Sequence, residues 1–186
     1  MGTPLRVFSD FDGSLAEITA RPQDAVPVAG AVSALEQLSL TCSVAIVSGR
    51  RVSFLEQLAF PRSVDLYGLY GIEARIAGVH EMRVEDPSKW SSVVVEAAET
   101  LAAAAPAGVL VEVKGLSLTI HFRAAPSAGG WVFDNASLTA ARSGLDLRPA
   151  RMSVELHPPV DIDKGTVVTE VSVGLGTSIY IGDDVG

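Results

Sequence analysis

Cysteine is nearly absent from this 186-residue sequence. Cys42 stands alone, so no internal disulfide can form, and the residue is expected to serve as a small buried apolar side chain. That excludes a disulfide-stapled secreted scaffold. Basic residues are also scarce, 14 against 22 acidic ones, which gives a formal net charge of −8. No basic cluster occurs beyond Gly49-Arg50-Arg51, and this argues against a nucleic-acid partner. Long apolar runs are missing too. Hydrophobic residues reach 48%, but charges and prolines interrupt them short of the ~20 residues that a membrane span requires. The stretch from Met1 to Asp10 has no basic region followed by an apolar core, so no signal peptide is expected. Arg6 stands where a myristoylation signal wants Ser or Thr. These absences together predict a cytoplasmic protein. An acidic chain that binds an anion must gather positive charge or a metal locally.

What is present is an alternation of strand and helix. Leu5 to Phe8 are strand formers leading to a turn at Asp12-Gly13. "AGAVSALEQLSL" places Val32, Leu35 and Leu38 on one helical face. "CSVAIVSGR" reads as a strand buried on both faces. "VSFLEQLAF" predicts a helix closed by Pro61, and a strand plus a hairpin about Ala77-Gly78 follow. This order predicts an α/β, Rossmann-like core with a parallel sheet. The pattern then changes to helix ("SKWSSVVVEAAETLAAAAP"), hairpin (turn near Lys114-Gly115), helix (ended by Gly144) and a second strand pair ("LDLRPARMSVELHPP"). An α+β unit over residues 85–159 is therefore expected as an insertion into a core of residues 1–84 and 160–186. A helix from "DIDKG" and a buried strand, "SIYIGDD", complete the core.

Four stretches could carry chemistry. Residues two apart on a strand point the same way, so Asp10 and Asp12 aim together at the carboxyl end, where open α/β sheets bind ligands. An EF-hand loop does not fit: with Gly13 at its sixth position, Phe8 and Thr19 occupy the first and twelfth, and neither is acidic. Ser48 and Gly49 end a strand before a helix, which suits either an anion site or a plain helix cap. Lys164 opens a helix, the unfavourable end of the helix dipole for a cation, so either a nearby anion or the flanking Asp161 and Asp163 must offset it. Asp183 and Asp184 are adjacent carboxylates that repel unless a cation or solvent intervenes, and oxygen ligands of this kind suit Mg²⁺. There is no phosphate loop of the GxxxxGK[ST] type and no complete GxGxxG.

The joint order of Asp-x-Asp, Ser, Lys and Asp-Asp resembles the four motifs of the haloacid dehalogenase-like (HAD) phosphohydrolases. "DFDGSLAEI", "VAIVSGR", "KGLSLTIHFR" and "VELHPPVDIDKG" extend that resemblance to the trehalose-6-phosphate phosphatase family over nearly the whole chain. The resemblance implies Asp10 as nucleophile, Asp12 as general acid and base, and Ser48, Gly49 and Lys164 as phosphoryl-binding groups. It implies Mg²⁺ held by Asp10, Asp12 (through its carbonyl), Asp183 and Asp184. The insertion would be a cap that selects a small sugar phosphate, with substrate contacts from Gly49, Arg50, Lys114, His121, Arg123 and Glu155. Pattern alone favours a different reading for the last three, as polar faces of strands. Ser14 replaces a usual Thr, Tyr70 a commoner His and His157 a commoner Arg, and the core is expected to be C-terminally truncated, because family members continue past the fourth motif. The alternatives are another capped sugar phosphatase, acting on sucrose phosphate or mannosylglycerate phosphate, and an inactive truncated fragment. A receiver domain fits poorly, since it needs an acidic residue where Ser48 stands and carries no large insertion. Nothing specifies oligomeric state, and a monomer is the default expectation.

Overall fold

The structure is a computed structural model and describes residues 5–19, 21–174 and 176–183. The chain folds as two compact units, one of residues 1–83 and 161–186 and the other of residues 84–160. In chain order the first unit supplies β1 (Leu5–Ser9), α1 (Ala31–Ser39), β2 (Ser43–Val47), α2 (Val52–Glu56), β3 (Val64–Gly68), β4 (Glu73–Ile76) and β5 (Val79–Met82). The second unit follows with α3 (Pro87–Ala104), β6 (Leu110–Val113), β7 (Leu118–His121), α4 (Gly129–Ser143), β8 (Asp146–Ala150) and β9 (Ser153–His157). The chain then returns to the first unit for α5 (Lys164–Ser172) and β10 (Thr177–Ile181).

The first unit is built on a six-stranded sheet in the order β10-β1-β2-β3-β4-β5. The first four strands in that order run parallel, and β4 and β5 turn back as an antiparallel hairpin. Alternate side chains of each strand serve opposite faces, and each face has its own core. On one side Val44, Ile46 and Leu66 pack with Phe11, Leu35, Leu55 and Phe60, under α1 and α2. On the other, Phe8, Ala45, Val47 and Tyr67 pack against Val167 of α5. A strand covered on both faces has no polar side to present, which is why β2 reads as a continuous apolar run.

Three expectations are corrected. The helix predicted across "VSFLEQLAF" stops at Glu56; Leu58 and Ala59 continue only as tight turns to Leu55 and Glu56, and Ala59 sits at φ 59°, outside the helical region. Cys42 is half-buried, with its thiol on the Leu38 carbonyl. And β10, expected to be buried, lies at the edge of the described sheet, hydrogen-bonded to β1, with Ile181 52% exposed among the residues present.

The second unit is a four-stranded antiparallel sheet in the order β6-β7-β9-β8, with α3 and α4 on one face. Leu118, Ile120, Val154 and Leu156 turn toward Val94, Leu101, Val132 and Ala136 of those helices. The alternate positions, including Ser117, Thr119, His121, Glu155 and His157, form a polar face. Asp86 caps α3 by accepting from the Lys89 N–H, with Pro87 in the first turn. Among the described residues no helix is long and apolar enough to cross a membrane.

Candidate active site

The carboxyl ends of β1 and β2, the turn after β3 and the amino end of α5 meet in one place. β1 ends at Ser9 and Asp10 follows immediately, its N–H donating to the Ile181 carbonyl at 2.8 Å. Asp10 is only 3% exposed. A carboxylate so buried needs compensation. Its Oδ1 accepts the Phe11 N–H at 2.7 Å, and its Oδ2 accepts from Lys164 Nζ at 2.5 Å. Lys164, 7% exposed, is the first residue of α5, so the anion that its position demanded is Asp10, 154 residues earlier. The helix is capped by Asp163, whose Oδ1 accepts from the Thr166 N–H at 2.6 Å and its hydroxyl at 2.8 Å. An Asp three residues before Thr166 is a cap signal legible in the sequence, beyond the charge it sets beside Lys164.

Asp10 and Asp12 flank Phe11, whose ring enters the core between Phe54 and Phe60. They hold different cations. Asp12 is gripped by the Arg50 guanidinium as a fork, Nε to Oδ2 at 2.8 Å and Nη2 to Oδ1 at 2.6 Å, and Arg50 Nη1 donates to the Pro22 carbonyl at 2.6 Å. Planar bidentate geometry of this kind fixes both partners. The Arg50 Cζ also stands 4.9 Å from the Phe54 ring centre. Expected to face substrate, Arg50 here spends its guanidinium on Asp12 and a carbonyl.

Ser48 is fully buried and does not cap α2. Its hydroxyl accepts the Arg50 N–H at 3.1 Å and shapes the turn that precedes the helix. The free α2 amide of Val52 instead donates to Glu73 Oε1 at 2.6 Å, a contact across 21 residues with no local sequence signal. Gly49 lies under the ring of Tyr70, where any Cβ would stand 2.8 Å from ring atoms. Asp183 lies against Gly13: a Cβ there would stand 2.1 Å from Asp183 Oδ2, and Gly13 also takes φ +80°, a conformation that side chains rarely adopt.

The structure thus brings Asp10, Asp12, Ser48, Gly49, Arg50, Lys164 and Asp183 together in the first unit. Asp184 lies outside the described residues. The candidate donors to a metal are hard oxygens: the Asp10 and Asp183 carboxylates and the Asp12 carbonyl. Among the described residues no group of three or more His, Cys, Asp or Glu gathers as a cage. Mg²⁺ requires none, being held by one or two carboxylates with phosphate and water, so this donor set fits it better than zinc or calcium.

The other candidates lie in the second unit. Glu155 is buried on β9, opposite Thr119 and Arg148. His121 on β7 bonds Glu112 Oε2 at 2.8 Å. Lys114 is half-buried in the β6–β7 turn, its N–H on the Ser117 carbonyl at 2.7 Å, and Arg123 is exposed just after β7. His157 is held below its ordinary pKa of 6.5, first by burial and then by Arg148, and its ring contacts the Pro158 carbonyl at 2.8 Å.

Comparison with known proteins gives the family of the chain. The chain matches the trehalose-phosphatase family over residues 8–186. It is 35% identical over 190 residues to a trehalose-phosphate phosphatase of Mycobacterium ulcerans, covering 96% of this chain and 48% of that protein. The chain spans about half the length of the curated relatives it matches. Among solved structures, a trehalose-6-phosphate phosphatase related protein has a TM-score of 0.84 at 21% identity, covering 96% of this chain and 78% of its own. A HAD subclass IIB sugar phosphatase has a TM-score of 0.59 at 11% identity, over 96% and 80% of the two chains. The first unit has the HAD fold, and the chain belongs to the trehalose-phosphatase family.

Proposed function

We propose that this chain carries the catalytic machinery of a Mg²⁺-dependent phosphatase that converts trehalose 6-phosphate to trehalose and phosphate in the cytoplasm. The observation that carries the reading is the buried Asp10–Lys164 pair beside the Asp12–Arg50 fork, in a chain of this family. Phosphate esters resist attack because the nucleophile meets negative charge, so catalysis rests on positioning and neutralisation. Asp10 attacks phosphorus; the bond from phosphorus to the sugar oxygen breaks, and Asp12, released from the Arg50 fork and carrying a proton taken from solvent, gives that proton to the oxygen. Asp12 then takes a proton from water, which cleaves the aspartyl-phosphate and releases inorganic phosphate. Lys164, the Gly49 N–H and the Ser48 hydroxyl are assigned to the phosphoryl oxygens, and the Arg50 fork holds Asp12 in place until substrate arrives. Mg²⁺, held by Asp10, the Asp12 carbonyl, Asp183 and Asp184, would supply charge neutralisation between the carboxylate and the phosphoryl group. The second unit is the substrate-selecting cap, with Lys114, His121, Arg123 and Glu155 for the sugar hydroxyls.

The test is phosphate release across a set of sugar phosphates with Mg²⁺. Trehalose 6-phosphate should be preferred, and Asp10→Asn should abolish turnover with the fold retained by circular dichroism. Release without that preference would refute the substrate, and turnover by Asp10→Asn would remove Asp10 from its role.

A further inference from the structure

Tyr70 has no part in the scheme above, yet it occupies the most constrained backbone near the site. Leu69, Tyr70 and Gly71 take φ values of 49°, 60° and 107° in succession. Left-handed backbone is disfavoured for every residue with a side chain, and such strain survives only where surrounding structure over-determines it. Here it is over-determined. The Tyr70 N–H donates to the Ser48 carbonyl at 2.9 Å, the Leu69 N–H to the Arg50 carbonyl at 2.9 Å, and the Ser48 N–H to the Tyr67 carbonyl at 2.9 Å. These bonds tie the 69–71 turn to the Ser48-Gly49-Arg50 turn. On its other side the turn is seated on α5, since a Cβ at Gly71 would stand 2.3 Å from Val167 Cγ2. The result is a phenol ring against the Cα of Gly49 with Lys164 Nζ 5.9 Å from its centre. An ammonium over an aromatic face is attracted to it, and more strongly when both are shielded from water.

We propose that Tyr70 is a positioning residue: its ring walls the Gly49 side of the anion site and holds the Lys164 ammonium on Asp10. The strain serves the site, because glycine would suit φ 60° better than tyrosine but would leave no ring. For its activity arm the proposal rests on the phosphatase reading; its labelling arm does not. Tyr70→Phe keeps the ring, while Tyr70→Gly removes it and relieves the backbone.

Turnover, melting temperature and acetic-anhydride labelling of Lys164 should be measured in both variants. Lys89 and Lys114, the only other lysines, serve as internal references for the labelling. Tyr70→Phe should stay within about twofold of the parent in kcat. Tyr70→Gly should lower kcat by about tenfold or more with KM little changed, while its melting temperature shifts by no more than about 3 °C. Its Lys164 should label several-fold faster relative to the references, and that of Tyr70→Phe should not. Unchanged labelling in Tyr70→Gly overturns the proposal whether or not the parent chain is active. So does parental kcat in that variant, or a loss of activity in Tyr70→Phe equal to that in Tyr70→Gly. A parent that hydrolyses no sugar phosphate defeats the phosphatase reading instead, and the labelling still decides the role of Tyr70.

Discussion

Replacing Lys164 with methionine removes one half of a buried ion pair and leaves most of the side-chain volume in place. The two side chains are 8% and 5% exposed, so solvent screens the pair little. Removing one partner of such a pair typically costs ~3–5 kcal/mol, because the other charge stays buried. The Phe11 N–H remains on Asp10 Oδ1 at 2.7 Å, and this places the expected loss at the lower end, ~3 kcal/mol. In a chain of this size 1 kcal/mol moves the melting temperature by ~2–4 °C, so Lys164→Met should melt ~6–12 °C below the parent. The assay is a thermal scan by circular dichroism, run also on Asp10→Asn and on the double variant. The double variant should lose less than the sum of the two single losses, with a coupling of ~1–3 kcal/mol. A Lys164→Met melt within ~2 °C of the parent, or additive losses in the cycle, would refute the inference that the two charges stabilise each other.

Gly13→Ala introduces a methyl group where Asp183 Oδ2 would lie 2.1 Å away, at a φ of +80°. It is expected to displace that carboxylate and weaken Mg²⁺ binding by about tenfold, measured by calorimetric titration with the metal alone; unchanged affinity would remove Asp183 from the metal site. Burial holds the pKa of His157 below the ordinary 6.5 in the fold, so the unfolded chain takes up the proton first as pH falls. The stability this contributes is complete above the unfolded value and is lost as pH drops from there toward the folded one. His157→Gln should therefore narrow the difference between melting temperatures measured at about pH 7.5 and about pH 5.5, and an unaltered difference would contradict the sign.

What the sequence made legible was position, and what it withheld was partnership. Asp10 and Asp12 at strand spacing, followed by Gly13, marked the end of β1 because the strand period and the turn chemistry are local. Lys164 at a helix start was legible as a cation in need of an anion for the same reason, but nothing within the helix could say that the anion was Asp10. The Arg50–Asp12 fork and the Glu73–Val52 contact span 38 and 21 residues, and no periodicity records either. Tyr70 was hidden for a different reason, since local preference argues against the conformation it takes. It holds that conformation only because the Ser48 carbonyl and α5 fix the turn on either side, and only because Gly49 leaves room for the ring. Each half of that pair is unremarkable alone: a glycine after a strand, and a tyrosine in a turn. Their meaning lies in a contact across the tops of β2 and β3, so a substitution at position 49 that carries any side chain should act on the site through Tyr70 as much as through the backbone N–H it replaces.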